Sequence, residues 1–251
     1  MPAPSPRPPR RALFFLPLSI AAVSAMLAGQ VIGRDARFAV PLLGISLLMV
    51  VPALVGRWRM RRLLMSGDVE RVIGTWAGTS NRVSNGETIA PLLQATAYAA
   101  YGWVEAARRS LGRAAKGPAW EAALEQRLFV ETLLDTFEGD REAAVRKAEV
   151  LEALPMPAAG LFTRRRVGVL RRGLAAMARA YAHASREGDA RVLSRAAAAS
   201  PLVHWAMRYA GAVVAIDRGR ATEARELLEG APAWPSQSAF HEYQKELLAL
   251  V

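Results

Sequence analysis

The chain has 251 residues, of which 52% are hydrophobic and 7% aromatic, and its formal net charge is +11 at neutral pH. Alanine and arginine dominate while aromatic residues are few, so we expect packed helices and an all-α fold. The chain contains no cysteine, which excludes disulfides, thiolate metal sites and cysteine nucleophiles.

The positive charge is concentrated at the N-terminal end of the chain. Residues 1 to 67 carry nine arginines and one aspartate, a net charge of +8, whereas the remaining residues carry 24 basic and 21 acidic side chains, a net charge of +3. This distribution places the basic residues beside apolar segments, which indicates membrane topology rather than a polyanion-binding domain. We therefore expect no nucleic-acid partner.

Residues 1 to 11 are rich in proline and arginine and are predicted to form a disordered basic tail. Two uncharged segments follow, residues 12 to 33 and residues 38 to 56. Each has about the 20 residues that a helix needs to cross a bilayer, so residues 12 to 56 are predicted to form a transmembrane helical hairpin. Small residues at every fourth position of the first segment (Ala21, Ala25, Gly29 and Gly33) suit close helix contact in lipid.

Arginines flank the predicted hairpin on both sides. Three precede it (Arg7, Arg10 and Arg11), and four follow it together with a tryptophan that is predicted to lie among lipid headgroups (Arg57, Trp58, Arg59, Arg61 and Arg62). Because basic residues favour the cytoplasmic side, we expect a bacterial-type inner-membrane protein with both termini in the cytoplasm. The first segment also resembles a cleaved signal peptide, and that alternative leaves the C-terminal region in the cytoplasm too.

A glycine-centred pattern recurs through the rest of the chain. Its glycines are separated by 35, 37, 49 and 31 residues (Gly67, Gly102, Gly139, Gly188 and Gly219), and aspartate follows three of them (Asp68, Asp140 and Asp189). Glycine adopts the left-handed conformation that ends a helix, and aspartate caps the start of the next helix. The pattern therefore predicts that each of these turns joins two paired helices. The helix pairs are expected near residues 57–77, 89–116, 119–155, 165–199 and 202–230, with a polar link at 78–88.

Two segments, "ATAYAAYGWVEAARRSLGRA" and "EGDREAAVRKAEVLEALP", carry a small residue five positions after the glycine, and the first also places Ala95 and Tyr98 in the preceding helix. In these features the chain resembles the tetratricopeptide-repeat family. The resemblance implies an α-solenoid of about five helix pairs within residues 57 to 251. Residues 236 to 251 carry one apolar stripe (Phe240, Tyr243, Leu247 and Leu248) and are predicted to form a capping helix. The intervals of 49 and 31 residues depart from the family's spacing, and an irregular bundle of glycine-capped helices is the alternative.

Motifs for catalysis or cofactor binding are absent from the sequence. The three histidines (His183, His204 and His241) are not spaced as helical metal ligands, and no nucleophile elbow, P-loop or dinucleotide-binding turn is present. We expect neither an enzyme nor a cofactor or metal site.

One further cluster carries five arginines within nine residues: Arg164, Arg165, Arg166, Arg171 and Arg172. It is either the solvated start of a helix or a binding site for an acidic protein surface or anionic lipid, since arginine binds carboxylates and phosphates with two hydrogen bonds. Nucleic acid is the least favoured ligand, because Phe162 is the only neighbouring aromatic residue that could stack on a base.

These features predict a membrane-anchored scaffold for protein–protein interactions, with its helical repeats presented at the cytoplasmic face. Its partners are then proteins bound by the repeats and the membrane lipids, and no oligomeric state is indicated. The alternative is an accessory or regulatory subunit of a transport, secretion or envelope-assembly complex in which the spans make the key contacts. Against it, neither apolar segment contains an ionisable residue.

Overall fold

The computed structural model describes residues 39–80 and 85–251, with side chains described for residues 48, 50–76 and 85–251. The chain divides into two compact units, residues 1–62 and residues 63–251. Every regular element of the described residues is a helix and none is a strand, which confirms the all-α expectation.

The described residues contain twelve α-helices and a 3₁₀ turn. In chain order they are α1 (Ala39–Met65), α2 (Val69–Ser80), α3 (Gly86–Ala100), α4 (Val104–Arg113), α5 (Pro118–Ala122), α6 (Leu124–Glu138), α7 (Arg141–Ala153), α8 (Leu161–Tyr181), α9 (Asp189–Ala199), the 3₁₀ turn Pro201–Val203, α10 (His204–Asp217), α11 (Ala221–Leu228) and α12 (Ala239–Ala249).

Within the part of the chain that the structure describes, no helix combines the length and the apolar character needed to cross a bilayer. The predicted tail at residues 1–11 and the first predicted span at 12–33 lie outside the described residues. The second predicted span, 38–56, falls from residue 39 onward within α1, which includes Pro52 and continues to Met65.

The second unit is built from consecutive helix pairs, α3 with α4, α6 with α7, α8 with α9 and α10 with α11. The first helices of the pairs also contact one another in order, α3 with α6, α6 with α8 and α8 with α10. In addition, α7 packs on α8 and α9 packs on α10, so each pair is joined to the next. These helices overlap the four pairs predicted between residues 89 and 230, although α3 begins at Gly86, inside the predicted link 78–88, and α8 begins at Leu161, before the predicted start at 165.

Helix α8 lies at the centre of this unit. Residues 173 to 178 of α8 are all buried, so the helix packs against neighbours on every side. Gly173 of α8 lies very close to α9, because a Cβ atom at this position would lie only 2.4 Å from the Cβ of Ala196. The absence of a side chain at residue 173 therefore sets the separation of α8 and α9.

Replacing Gly173 by alanine is expected to lower the free energy of unfolding by about 1–3 kcal/mol, because the new methyl group overpacks the contact with α9. The matched control is Gly74→Ala in α2, where a Cβ would meet no atom within 4 Å. Alanine is the better helix former, so this control is expected to gain about 0.5–1 kcal/mol. Urea unfolding of the full chain, followed by circular dichroism, measures both changes. If the Gly173→Ala and Gly74→Ala variants were equally stable, the close approach of Gly173 to α9 would be contradicted.

The C-terminal segment, residues 232–251, packs across the ends of the first helices. The Ser238 hydroxyl donates a hydrogen bond to the Tyr101 carbonyl after α3 (2.7 Å). The Tyr243 hydroxyl donates to the Phe137 carbonyl at the end of α6 (3.2 Å). The Tyr243 ring also lies 5.2 Å from the ring of Tyr181, the last residue of α8. The segment therefore connects three successive helix pairs rather than only the last one.

Phe240 is the centre of this C-terminal contact and is 0% exposed. Its ring stacks on Tyr209 of α10 at 5.0 Å and lies 5.2 Å from Phe137 and 4.9 Å from Trp234. Burial raises the pKa of Tyr209 to about 12, although the hydrogen bond that the Trp234 indole donates to its hydroxyl (2.8 Å) acts in the opposite direction. The Tyr209 hydroxyl is therefore neutral at physiological pH.

The predicted apolar stripe of the last helix is only partly buried. Phe240 and Leu247 are buried and Tyr243 is half-buried, whereas Leu248 is 48% exposed. Leu248 therefore lies outside the contact that its helical spacing predicts.

The beginning of the second unit meets its C-terminal segment. The Tyr101 hydroxyl donates to the Leu64 carbonyl (2.6 Å), and the Trp205 indole donates to the Met65 carbonyl (2.9 Å). A Cβ atom on Gly67 would lie 2.8 Å from Pro232 and 3.1 Å from Trp234. Residues 63–67 are thus held by side chains that are far away in the sequence.

Candidate functional site

A groove of about 650 Å³ runs along the row of first helices in the second unit. It lies toward the starts of α3 and α6 and beside the middle of α8, and residues of α5 and of the 3₁₀ turn also line it. Its lining is mainly apolar, and consists of Asn85, Ile89, Thr96, Ala119, Ala122, Ala123, Glu125, Gln126, Phe129, Leu170, Ser200 and Leu202. We call this cavity the groove.

A small number of polar groups frame the groove. The Gln126 amide donates a hydrogen bond to the Thr96 hydroxyl (2.8 Å), and that hydroxyl donates in turn to the Leu92 carbonyl (2.7 Å). The side chains of α3 and α6 are thereby connected by a hydrogen bond in the lining of the groove. An apolar lining with a few fixed polar groups is the usual composition of a ligand-binding cleft.

Arg171 bonds to Glu125, one of the residues that line the groove. Its side chain is 4% exposed, and its guanidinium donates to the Glu125 carboxylate (3.0 Å) and to the carbonyls of Leu154 and Pro155. The start of α6 is thus joined to the link that follows α7. Arg171 was predicted to belong to a patch for acidic partners, and the structure separates it from that patch, because its hydrogen bonds are made inside the protein.

The other members of the predicted patch lie on the surface. Arg164, Arg165, Arg166 and Arg172 are exposed, and the Nε of Arg172 donates to the Gly168 carbonyl (3.1 Å). Arg164, Arg165 and Arg166 follow two strongly exposed apolar side chains at the start of α8, Leu161 and Phe162. The patch therefore consists of four surface arginines on a single helix.

The predicted headgroup cluster lies near the end of α1. Arg57, Trp58, Arg59, Arg61 and Arg62 are all exposed, and the Arg62 guanidinium lies 4.5 Å from the centre of the Trp58 ring. Exposed arginines beside an exposed tryptophan agree with a position at a membrane interface, which remains a prediction.

The five turn glycines all have positive φ, with values of 79°, 72°, 87°, 89° and 70° at Gly67, Gly102, Gly139, Gly188 and Gly219. Gly102 ends α3, with its own amide bonded to the Ala99 carbonyl and the next amide bonded to the Tyr98 carbonyl. Gly188, in contrast, directly precedes α9, and His183 (φ 52°) occupies the left-handed position at the end of α8. The long 49-residue interval thus contains the 21-residue α8 and a longer turn.

Two of the three aspartates that follow these glycines act as helix caps. Asp68 accepts from the Arg71 amide and Asp140 accepts from the Ala143 amide, each at 3.1 Å. The third, Asp189, is buried and accepts two hydrogen bonds from Arg179 (3.0 and 2.7 Å). Burial raises the pKa of the Asp189 carboxyl, but the hydrogen bonds from Arg179 and the Arg186 amide outweigh it, so the net pKa is lowered. This carboxylate therefore joins the turn to α8.

The histidines are held by structural partners. His183 Nδ1 lies 2.9 Å from an Asp217 carboxylate oxygen, His204 Nδ1 lies 3.2 Å from the Ala197 carbonyl, and His241 Nδ1 lies 2.9 Å from the Trp234 carbonyl. In residues 39–80 and 85–251 no group of three or more histidine, aspartate or glutamate side chains is placed to hold a metal ion.

No sequence motif marks the residues that line the groove. Ile89, Phe129 and Leu170 are ordinary apolar residues of helices, and helical periodicity does not distinguish a face that packs on another helix from a face that borders a cavity. The groove therefore becomes recognisable only when α3, α6 and α8 are assembled.

No protein-family model, no curated protein and no solved structure matches the chain.

Proposed function

We propose that the chain is a membrane-anchored protein–protein interaction module whose tetratricopeptide-like helix pairs bind a short segment of a partner protein in the groove. The apolar lining of the groove along α3, α6 and α8 is the observation that carries this proposal. A cavity of this kind suits apolar side chains of an extended or helical peptide, while the polar groups of its lining can bond to the peptide backbone.

The position of the C-terminal segment supports the groove as the binding surface. Residues 232–251 contact the ends of α3, α6 and α8, whereas the groove lies toward the starts of α3 and α6. One part of the helix row is thus filled by the chain's own aromatic residues, and the remaining cavity has space for an external segment. The proposed membrane anchor, residues 12–56, would raise the local concentration of membrane-associated partners, so a modest affinity suffices.

The proposal is tested by blocking the groove. Ala122 lines it and is exposed, so Ala122→Arg introduces a long charged side chain into the cavity without disturbing the core. The matched control is Ala198→Arg, at an exposed position on α9. Twelve-residue peptides are first selected from a library on the full chain in nanodiscs. We expect them to bind the Ala198→Arg variant as tightly as the unmodified chain. We expect them to bind the Ala122→Arg variant at least tenfold more weakly, a loss of binding free energy on the order of 1.4 kcal/mol.

Selection of no peptide above background would overturn the proposal, and so would selected peptides that bind both variants equally. Equal circular dichroism spectra and unfolding midpoints for the two variants ensure that a loss of binding reflects the groove itself.

A further inference from the structure

An uncharged, exposed segment joins α7 to the first turn of α8. Residues 155–162, "PMPAAGLF", contain no ionisable side chain. Leu161 is 78% exposed and Phe162 is 87% exposed, the two highest values among the large hydrophobic side chains that the structure describes as exposed. Met156 in the same segment is 44% exposed. Adjacent apolar side chains that remain in water indicate a contact surface rather than part of the core.

Arginines follow these apolar side chains immediately. Arg164, Arg165 and Arg166 are exposed, and none of the three forms an ion pair with a described carboxylate. The first turn of α8 contains no acidic residue, although acidic side chains are the favourable ones at a helix start. The charges are therefore not arranged to stabilise the helix. We call Leu161, Phe162, Arg164, Arg165 and Arg166 the apolar-basic tip.

We propose that the apolar-basic tip inserts into the surface of a bilayer that contains anionic phospholipids. Phe162 and Leu161 would enter the boundary between headgroups and acyl chains, while the arginines would bind the phosphates of the surrounding lipids. A bilayer surface offers both an apolar layer and anionic groups at the depths that such a tip requires. The contact gives the second unit its own attachment to the membrane, in addition to the proposed N-terminal anchor and separate from the groove.

An anionic bilayer explains the tip better than an acidic protein surface does. Leu161 and Phe162 are exposed, and neither of them lines any of the three cavities that the structure describes. Protein partners are usually bound through packed pockets, whereas lipid accommodates a projecting apolar side chain of any shape. The same combination of exposed aromatic residue and arginines occurs at Trp58 and Arg59, beside the segment predicted to cross the membrane.

The absence of cysteine makes a direct test possible. The full chain with Phe162→Cys is labelled at that cysteine with the environment-sensitive dye nitrobenzoxadiazole. The control protein is the full chain with Ser194→Cys, labelled in the same way at an exposed position of α9. Both proteins are reconstituted in nanodiscs of phosphatidylcholine with or without phosphatidylglycerol. We expect the label at residue 162 to shift to the blue and to be quenched by brominated acyl chains only when phosphatidylglycerol is present. The label at residue 194 is expected to stay in water.

Charge variants identify the role of the arginines. Arg164→Ser with Arg165→Ser is expected to abolish the blue shift at residue 162, whereas Arg191→Ser with Arg195→Ser, at two exposed positions of α9, leaves it unchanged.

A label at residue 162 that stays in water, or one that inserts equally into both lipid compositions, would overturn the proposal. A blue shift without quenching by brominated lipid would assign the tip to a protein contact instead. The Ala122→Arg groove variant is expected to retain insertion, which separates this test from that of the proposed function.

Discussion

Replacing Phe240 by alanine is expected to lower the free energy of unfolding by about 3–5 kcal/mol, the usual cost of removing a fully buried aromatic side chain. Phe240 is 0% exposed and its ring is surrounded by Phe137, Tyr209 and Trp234. These neighbours belong to three different parts of the second unit, so the cavity left by the substitution cannot close by a local movement. Urea unfolding of the detergent-solubilised full chain, followed by tryptophan fluorescence, measures the change.

The matched control lies in the same helix. Leu248 was predicted to share the apolar stripe with Phe240 but is 48% exposed, so Leu248→Ala is expected to change stability by less than about 0.5 kcal/mol. Similar effects of the two substitutions would mean that the C-terminal segment does not close the second unit through Phe240.

Replacing Arg171 by alanine is expected to lower the free energy of unfolding by about 2–4 kcal/mol, toward the range for removing one partner of a buried ion pair. The substitution leaves the carbonyls of Leu154 and Pro155 without their donor, and an unsatisfied buried polar group is costly. Glu125 moderates the loss, because its side chain is 42% exposed and can be hydrated. Chemical unfolding of the purified full chain measures the difference.

The neighbouring residue is the control for charge. Arg172→Ala removes the same charge from an exposed position, and we expect a change within about 0.5 kcal/mol. If both variants unfolded at the same urea concentration, the internal hydrogen bonds of Arg171 would not contribute to stability. A large loss in Arg171→Ala alone would show that one arginine run contains both a structural and a surface residue.

The proposed binding surfaces have different physical origins. The groove exists because three first helices lie side by side while the C-terminal aromatic residues occupy only part of that row. The apolar-basic tip exists because the link between α7 and α8 projects two apolar side chains into solvent. Membrane attachment at the tip would restrict the directions from which a partner segment reaches the groove.

Local signals located the turns between the paired helices of the second unit. Glycine with positive φ ends a helix, and a following aspartate caps the next, so the turns at Gly102 and Gly139 could be located from a few neighbouring residues. The prediction is less accurate around the turn between α8 and α9. His183 rather than Gly188 takes the left-handed position after α8, and Asp189 binds Arg179 instead of acting as a simple cap.

The sequence by itself thus determined the helical class, the approximate helix pairs and the turn residues, because capping and periodicity depend on residues within one or two turns of each other. The tertiary structure alone decided that Arg171 is internal, that Phe162 is exposed and that residues of α3, α6 and α8 line one groove. These properties depend on contacts between distant residues: Arg171 bonds to Glu125, 46 positions away, and Ser238 bonds to Tyr101, 137 positions away. A helical pattern specifies which face of a helix is apolar, but only the assembled helices specify what that face meets.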